Sequence, residues 1–239
     1  VSIMKNGQIM CGGAIISPRF IITAAHCFLT PNAITEKSCL GKKVSNKACY
    51  HPPEVFQVGV LSPNGLRQAI QVVKIIAHPQ FSVDGRVHDI GLMKLNKPIK
   101  CGTMSSPICL PQKNKNKYGR NLIVAGWGRY SDKPAEKKML EGKMTQVKNG
   151  QCLARGESSS KGRRYLCAVA TKTNQKSCFG DSGSAIFSKF GDKYFALGVT
   201  SFGLSRPNVL CSLDKPAVFT KTYPYLKWIR KYVKDIPRA

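Results

Sequence analysis

Three segments of the chain carry side chains able to do covalent chemistry. Cys178-Phe179-Gly180-Asp181-Ser182-Gly183 presents a serine hydroxyl between two glycines. A hydroxyl is a weak nucleophile near neutral pH and needs an adjacent base, which in turn needs a group to orient it. Two upstream segments supply candidates. His26 lies in Thr23-Ala24-Ala25-His26-Cys27, and Asp89 opens Asp89-Ile90-Gly91-Leu92-Met93-Lys94-Leu95. Taken singly, Ser182 reads as a turn serine and His26 as a core histidine. The order His, Asp, Ser within these motifs points instead to a nucleophile, a base and an orienter.

Four further motifs stand around these three. Cys11-Gly12-Gly13 precedes the histidine, and Ala125-Gly126-Trp127-Gly128 opens the second half. Ser201-Phe202-Gly203 follows the serine, and Tyr225-Leu226-Lys227-Trp228-Ile229 comes near the end. With all of them in one order, the sequence resembles the chymotrypsin/trypsin family of serine proteases over nearly its whole length. The resemblance implies an all-β fold of two six-stranded antiparallel β-barrels with a C-terminal α-helix, the site lying in the cleft between the barrels. It implies that Ser182 attacks a peptide carbonyl while His26 takes the proton and returns it to the leaving amine. Asp89 would fix the imidazole tautomer. Backbone N–H groups of Gly180 and Ser182 would form the oxyanion hole, and glycine at 180 lets the chain turn there without a Cβ clash. The specificity pocket would be built from Lys176, Phe179, Ser201, Phe202, Gly203 and Ala217.

Disulfides follow from the same resemblance: Cys11–Cys27, Cys152–Cys167 and Cys178–Cys211. Cys39 and Cys49 are then left together in one loop and close it. Cys101 and Cys109 remain. The even count favours their pairing with each other; the alternative is a bond from Cys109 to an upstream chain, as in two-chain relatives.

The sequence also departs from the family pattern. Ser184-Ala185 stand where Gly-Pro is usual, and Phe202 stands where tryptophan is usual. Ala217 replaces a frequent glycine in the pocket wall. Lys176, six residues before the serine, occupies the pocket floor where trypsin-like members have an aspartate. Activated relatives pair a new amino terminus with the aspartate matching Asp181. Val1 aligns after that terminus, so either a segment precedes it or the site is ordered another way.

Composition sets the surroundings. Lys and Arg number 38 against 12 Asp and Glu, a formal charge of +26. The cations cluster at Lys113, Lys115, Lys117 and Arg120, at Lys161, Arg163 and Arg164, and at Lys227, Arg230, Lys231 and Lys234. Such a field favours polyanions such as sulfated glycans, though a basic face can also be merely solubilising. No motif points to specific nucleic-acid binding. Ten cysteines suggest an oxidising compartment and hence secretion. No C-x-x-C pair supports zinc, no acid in residues 61–70 supports a calcium loop, and no cofactor is implied. No stretch is long and apolar enough to span a bilayer, no signal peptide remains ahead of Val1, and no Asn-x-Ser/Thr acceptor occurs.

The elements that must position these residues are short strands. Residues 14–16, 20–23, 54–60, 69–76 and 90–95 make one set; residues 121–125, 139–147, 185–187, 194–200 and 217–220 make a second. Residues 30–53 and 154–164 read as polar surface loops. Residues 104–119, rich in Pro, Lys, Asn and Ser, read as the linker. Leu226, Ile229 and Val233 recur at helical spacing. A single protease domain over 1–239 is expected, with a first barrel over 1–105, a linker at 106–118, a second barrel over 119–222 and a helix over 223–239. His88 would lie on a strand facing away from Asp89, and His51 and His78, beside prolines, would be exposed. The leading reading is a secreted serine endopeptidase acting on protein or peptide substrates, with non-trypsin-like specificity because of Lys176. The alternative is a weakly active or inactive homologue that binds partners through its basic surface.

Overall fold

The computed structural model describes residues 1–41, 44, 47–62, 65–66, 69–100, 102, 105–128, 139–152, 163–171, 180–203 and 215–237. The expected positions Lys176, Cys178, Phe179 and Cys211, with Cys101 and most of the 154–164 loop, lie outside them, as do parts of residues 61–70.

The chain opens with a hairpin absent from the expected strands, β1 (Ser2–Lys5) and β2 (Gln8–Gly12). Its turn is Asn6-Gly7, with φ of 52° and 76°. Two successive positive φ values make the turn type whose twist suits a two-residue hairpin, and Asn-Gly is its strongest sequence signal. The sheet continues with β3 (Ala14–Ser17), β4 (Phe20–Thr23), β5 (Phe56–Gly59), β8 (Ile70–Ala77) and β9 (Gly91–Leu95), while β6 (Leu61–Ser62) and β7 (Gly65–Leu66) pair on their own. The order is β2-β1-β5-β8-β9-β4-β3, seven strands. Only Gly13 separates β2 from β3, so the chain itself joins the two ends of the sheet. Counted as one strand bent at Gly13, they give the six expected. A Cβ on Gly13 would lie 2.6 Å from Ile21 Cγ2, so the bend has no room for a side chain. Ile3, Ile16, Ile21, Ile22, Phe56 and Leu92 fill the interior.

The second half closes fully. Strands β10 (Asn121–Gly126), β11 (Leu140–Val147), β12 (Tyr165–Ala170), β13 (Ala185–Phe190), β14 (Lys193–Gly203) and β15 (Ala217–Lys221) form a six-stranded barrel in the order β10-β11-β12-β15-β14-β13. Closure leaves no open strand edge. Leu122, Val124, Met144, Leu166, Ile186, Leu197 and Phe219 pack inside.

The joining segment is built in rather than slung between the halves. Ile108 donates its N–H to Ile15 O at 2.8 Å, and Leu110 is fully buried in the first core. Cys109 N–H donates to Tyr194 O at 3.1 Å, and Ala196 N–H donates to Cys109 O at 3.0 Å. This main-chain ladder turns Cys109 into the second core, where its thiol is free. The partner that the even count favoured for Cys109, Cys101, lies outside the described residues. Cys11–Cys27, Cys39–Cys49 and Cys152–Cys167 are bonded. The 30–53 loop has a small core of its own, in which Ala33, Val44 and the Cys39–Cys49 bridge pack on Phe81.

A 3-10 turn (Tyr223–Tyr225) leads into helix α1 (Leu226–Tyr232). The helix is shorter than the expected 223–239, because Val233 is already extended and Pro237 follows. Tyr225, Leu226, Trp228, Ile229 and Val233 join the core of the first half. The end of the chain thus crosses back from the second barrel. Lys227, Arg230, Lys231 and Lys234 point outward. Among the described residues no helix is long and apolar enough to cross a membrane.

Candidate active site

His26 sits in a 3-10 turn, Ala25–Phe28, directly after β4, and is tethered next door by the Cys11–Cys27 bridge. Asp89 lies just ahead of β9, which pairs with β4, so the sheet brings the two side chains together. His26 Nδ1 and Asp89 Oδ2 are 2.7 Å apart, and the His26 backbone N–H donates to Asp89 Oδ1 at 2.9 Å. This side-chain contact brings the ring within ion-pair distance of the carboxylate. Two bonds from one residue to both carboxylate oxygens fix the imidazole ring in place. They also assign Nδ1 the proton and leave Nε2 free to accept one.

Asp89 is completely buried. Burial alone would raise its pKa. The charge of His26, the hydrogen bonds from His26 and the hydroxyl of Ser201 outweigh burial and hold the carboxyl below its ordinary value. Ser201 Oγ donates to Asp89 Oδ2 at 2.5 Å. The sequence places Ser201 in the pocket wall; the structure gives its buried hydroxyl a further task, supporting Asp89. The signal was absent locally, since the two residues stand 112 positions apart.

Ser182 is anchored beside the Cys11–Cys27 bridge through its main chain. Gly12 N–H donates to Ser182 O at 2.8 Å, and Cys27 Sγ lies 3.8 Å from the same oxygen. Gly183 N–H donates to Thr200 O at 2.8 Å, and Ser184 O accepts from both the N–H and the hydroxyl of Thr200 at 2.9 Å. The serine turn is therefore stitched to β2 on one side and to β14 on the other. Its side-chain hydroxyl forms no hydrogen bond among the described residues. His26 Nε2 has Cys27 Sγ at 3.9 Å as its near neighbour.

Glycines at the turn have steric reasons. Gly180 has φ +95° and Gly183 φ +84°. A Cβ on Gly183 would stand 2.1 Å from Thr23 Oγ1 and 2.5 Å from Gly12 O. Gly126 and Gly128 leave room for the Asp181 carboxylate, which accepts the Gly128 N–H at 2.9 Å. Ser184, the departure from the family pattern, fits because Gly12 lacks a side chain: a Cβ there would lie 1.9 Å from Ser184 Oγ. The Ser184 hydroxyl is buried without a partner.

Of the expected pocket residues, Ala217 is fully buried and pairs with Gly203 across β14 and β15, while Phe202 pairs with Val218. The Phe202 ring meets Tyr165 edge to face at 6.5 Å.

The remaining histidines correct two expectations. His88 is not on a strand: its φ is +56°, and β9 starts three residues later. His78 is not exposed but half-buried, stacked on His88 at 4.8 Å with rings 5° from parallel. Burial first, then neighbouring positive charge, pushes both imidazoles down to about 4. His51 is partly covered, with Lys5 Nζ at 3.0 Å.

The profile of the Trypsin family matches residues 1–229. Among curated proteins, phenoloxidase-activating factor 3 of Holotrichia diomphalia is 28% identical over 245 residues, covering 94% of this chain and 64% of that protein. The phenoloxidase-activating enzyme of Bombyx mori is 28% identical over 265 residues, covering 97% of this chain and 56% of its own length. The chain therefore spans between about half and two thirds of these relatives. A Trypsin-family match along almost the entire chain joins the paired β-sheets and the buried His–Asp contact described above: the chain belongs to the trypsin family.

Proposed function

We propose that this chain is a serine endopeptidase domain in which His26, Asp89 and Ser182 act together. The observation that carries the reading is the two-point contact of His26 with a buried Asp89, beside a serine turn bonded to Gly12. Asp89 stays ionised and stabilises the imidazolium formed when His26 Nε2 takes the Ser182 proton. The alkoxide attacks the peptide carbonyl. The N–H groups of Gly180 and Ser182 receive the oxyanion, and His26 returns the proton to the leaving amine. Catalytic hydrogen bonds are often loose without substrate and tighten in the Michaelis complex. Fluorophosphonate labelling tests this directly. Stoichiometric labelling of wild type, lost in Ser182→Ala at unchanged melting temperature, is expected; an unlabelled wild type with intact His26 and Asp89 would refute it.

The unbonded Ser182 hydroxyl favours the second reading, a weakly active homologue that binds partners. That reading gains if labelling is slow yet partner binding survives Ser182→Ala. The names of the relatives concern activation of phenoloxidase, which supports a protein substrate for this chain. We assign it non-trypsin-like primary specificity, because Lys176 stands at the sequence position where trypsin-like members carry an aspartate, so that a substrate Arg or Lys is expected to meet like charge. Efficient cleavage after Arg in a peptide library would overturn this.

Secretion is the reading that the three disulfides among the described residues support, and we keep a bond to an upstream chain as the second role for the Cys109 thiol, which is free and buried in the second core. Mass spectrometry of the unreduced secreted protein tests both. The exposed stripe of Lys227, Arg230, Lys231 and Lys234 has no acidic ion-pair partner among the described residues, which supports a sulfated glycan as partner. Retention on heparin no stronger than for a variant with these four cations reversed would exclude it.

A further inference from the structure

The segment that carries Asp89 is held almost entirely from elsewhere in the chain. His88 occupies the left-handed region at φ +56°, a conformation uncommon for any residue with a Cβ. Asp89 follows it directly, and Ile90 N–H closes a tight turn onto His88 O at 2.8 Å. The conformation of His88 therefore aims the Asp89 side chain.

Side chains distant in sequence grip the His88 ring. His78 stacks on one face, and the hydroxyl of Tyr225 stands 3.1 Å from His88 Nδ1. The Tyr225 ring lies edge-on to both imidazoles, and Trp228 packs on His78 at 5.1 Å. His78 also holds the main chain, donating its N–H to Ile90 O at 3.0 Å. Three and two residues before His88, Tyr165 of β12 donates its hydroxyl to Gly85 O and Arg86 O at 3.3 and 3.2 Å. Arg86, itself at φ +46°, donates to Ser201 O at 3.3 Å.

We propose that His88, clamped by Tyr225 and His78, is a positioning residue for Asp89, through which the C-terminal segment sets the carboxylate that orients His26. The inference rests on the peptidase reading above for its catalytic consequence but not for its geometry. A neutral clamp is required, since two stacked imidazolium rings repel. The titratable and charged groups facing the stack are the Arg164 guanidinium, the Asp89 carboxylate and the hydroxyls of Tyr225 and Tyr165. His78 also lines a cavity of about 560 Å³ together with Lys47, Tyr50 and His51. Burial and the Arg164 charge both favour the neutral rings.

Three variants test this: Tyr225→Phe, His88→Val and His88→Asn. Phenylalanine keeps the ring and loses the hydroxyl. Valine cannot hold the left-handed backbone, whereas asparagine tolerates it and still offers a polar atom to Tyr225. Two readouts are needed. The first is the proton NMR signal of His26 Nδ1–H, which reports its bond to Asp89 whether or not Ser182 turns over. The second is kcat and KM on a peptide substrate. His88→Val is expected to shift and broaden that proton signal and to lower kcat about ten-fold or more at unchanged KM. Tyr225→Phe should lower kcat about three-fold, and His88→Asn should recover most of the loss. An unmoved His26 signal in folded His88→Val overturns the clamp. A wild type without turnover but with a signal sensitive to His88 overturns the peptidase reading and leaves the clamp supported.

Discussion

Gly183 is where the two halves of the molecule touch without a side chain between them, and replacing it measures how tight that seam is. A Cβ there would press on Thr23 Oγ1 at 2.1 Å and on the carbonyl of Gly12 at 2.5 Å. The hydroxyl can rotate, although it would lose its 2.8 Å bond to Gly12 O. The carbonyl can yield only if β2 moves. The left-handed backbone, φ +84°, adds a cost of about 1–2 kcal/mol for any L side chain. Overpacking adds about 1–3 kcal/mol, so Gly183→Ala should cost about 3–4 kcal/mol. For a chain of this length that lowers the melting temperature by about 10 °C. Two controls separate the terms. Gly7 has φ +76° and nothing within 4 Å, so Gly7→Ala carries the backbone term alone and should cost about 1 kcal/mol. Gly12 lacks the positive φ but would strike Ser184 Oγ, a side chain that can turn aside, so Gly12→Ala should fall between at about 2 kcal/mol. Thermal melts of the three variants, followed by circular dichroism, give the ranking. Fluorophosphonate labelling should fall about a hundred-fold in Gly183→Ala, because Ser182 is displaced with its neighbour. If Gly183→Ala melts no lower than Gly7→Ala, the seam is compliant and the argument from close approach fails.

Ser201→Ala removes one donor from the buried Asp89 carboxylate, a bond to a charged acceptor worth about 1.5–3 kcal/mol. The Asp89 pKa should rise, and the stability that Asp89 contributes above its unfolded pKa should be lost at a higher pH on acidification; denaturation midpoints between pH 3 and 7 check this. The pair His78 and His88 should also make the fold acid-sensitive, in the opposite chemical sense. Their folded pKa values, about 4, lie below the unfolded 6.5, so the unfolded chain binds more protons in between. Their contribution is whole above about pH 6.5 and declines as pH falls toward 4, by about 1–2 kcal/mol after discounting for their partial exposure. Urea midpoints at pH 4.5 and 7.5 should differ less in the His78→Gln, His88→Asn double variant than in wild type. Ser184→Ala deletes a buried hydroxyl that lacks a partner and should leave stability unchanged or raise it by up to about 1 kcal/mol, read from the same midpoints.

Much of the fold was legible because β-branched runs such as Phe20-Ile21-Ile22-Thr23 announce strands, and β4 spans those four residues. Strand β12 was not, because Leu166-Cys167-Ala168 is buried on both faces and shows no alternation. The β1–β2 hairpin was missed although Asn6-Gly7 signalled it plainly. At the site, the motifs singled out His26 and Asp89, whose side chains the structure brings into contact. The supports of Asp89 were invisible: Ser201, Tyr165 and Tyr225 act from 79 to 137 residues away from their partners. Hydroxyls are chemically generic, so only the folded arrangement distinguishes these from any other serine or tyrosine.

Helix α1 packs on the first half of the molecule although it is made after both sets of strands. During synthesis the N-terminal sheet emerges first and can fold while the rest is being made. It does so with the docking site of α1 bare and with His88 ungripped. Residues through Val233 must leave the ribosome before that apolar surface is covered and the segment before β9 is held. The chain is thus timed by its own topology: the arrangement around Asp89 waits until α1 has been made, and truncation before Tyr225 leaves both sets of strands with an Asp89 segment that α1 has never gripped.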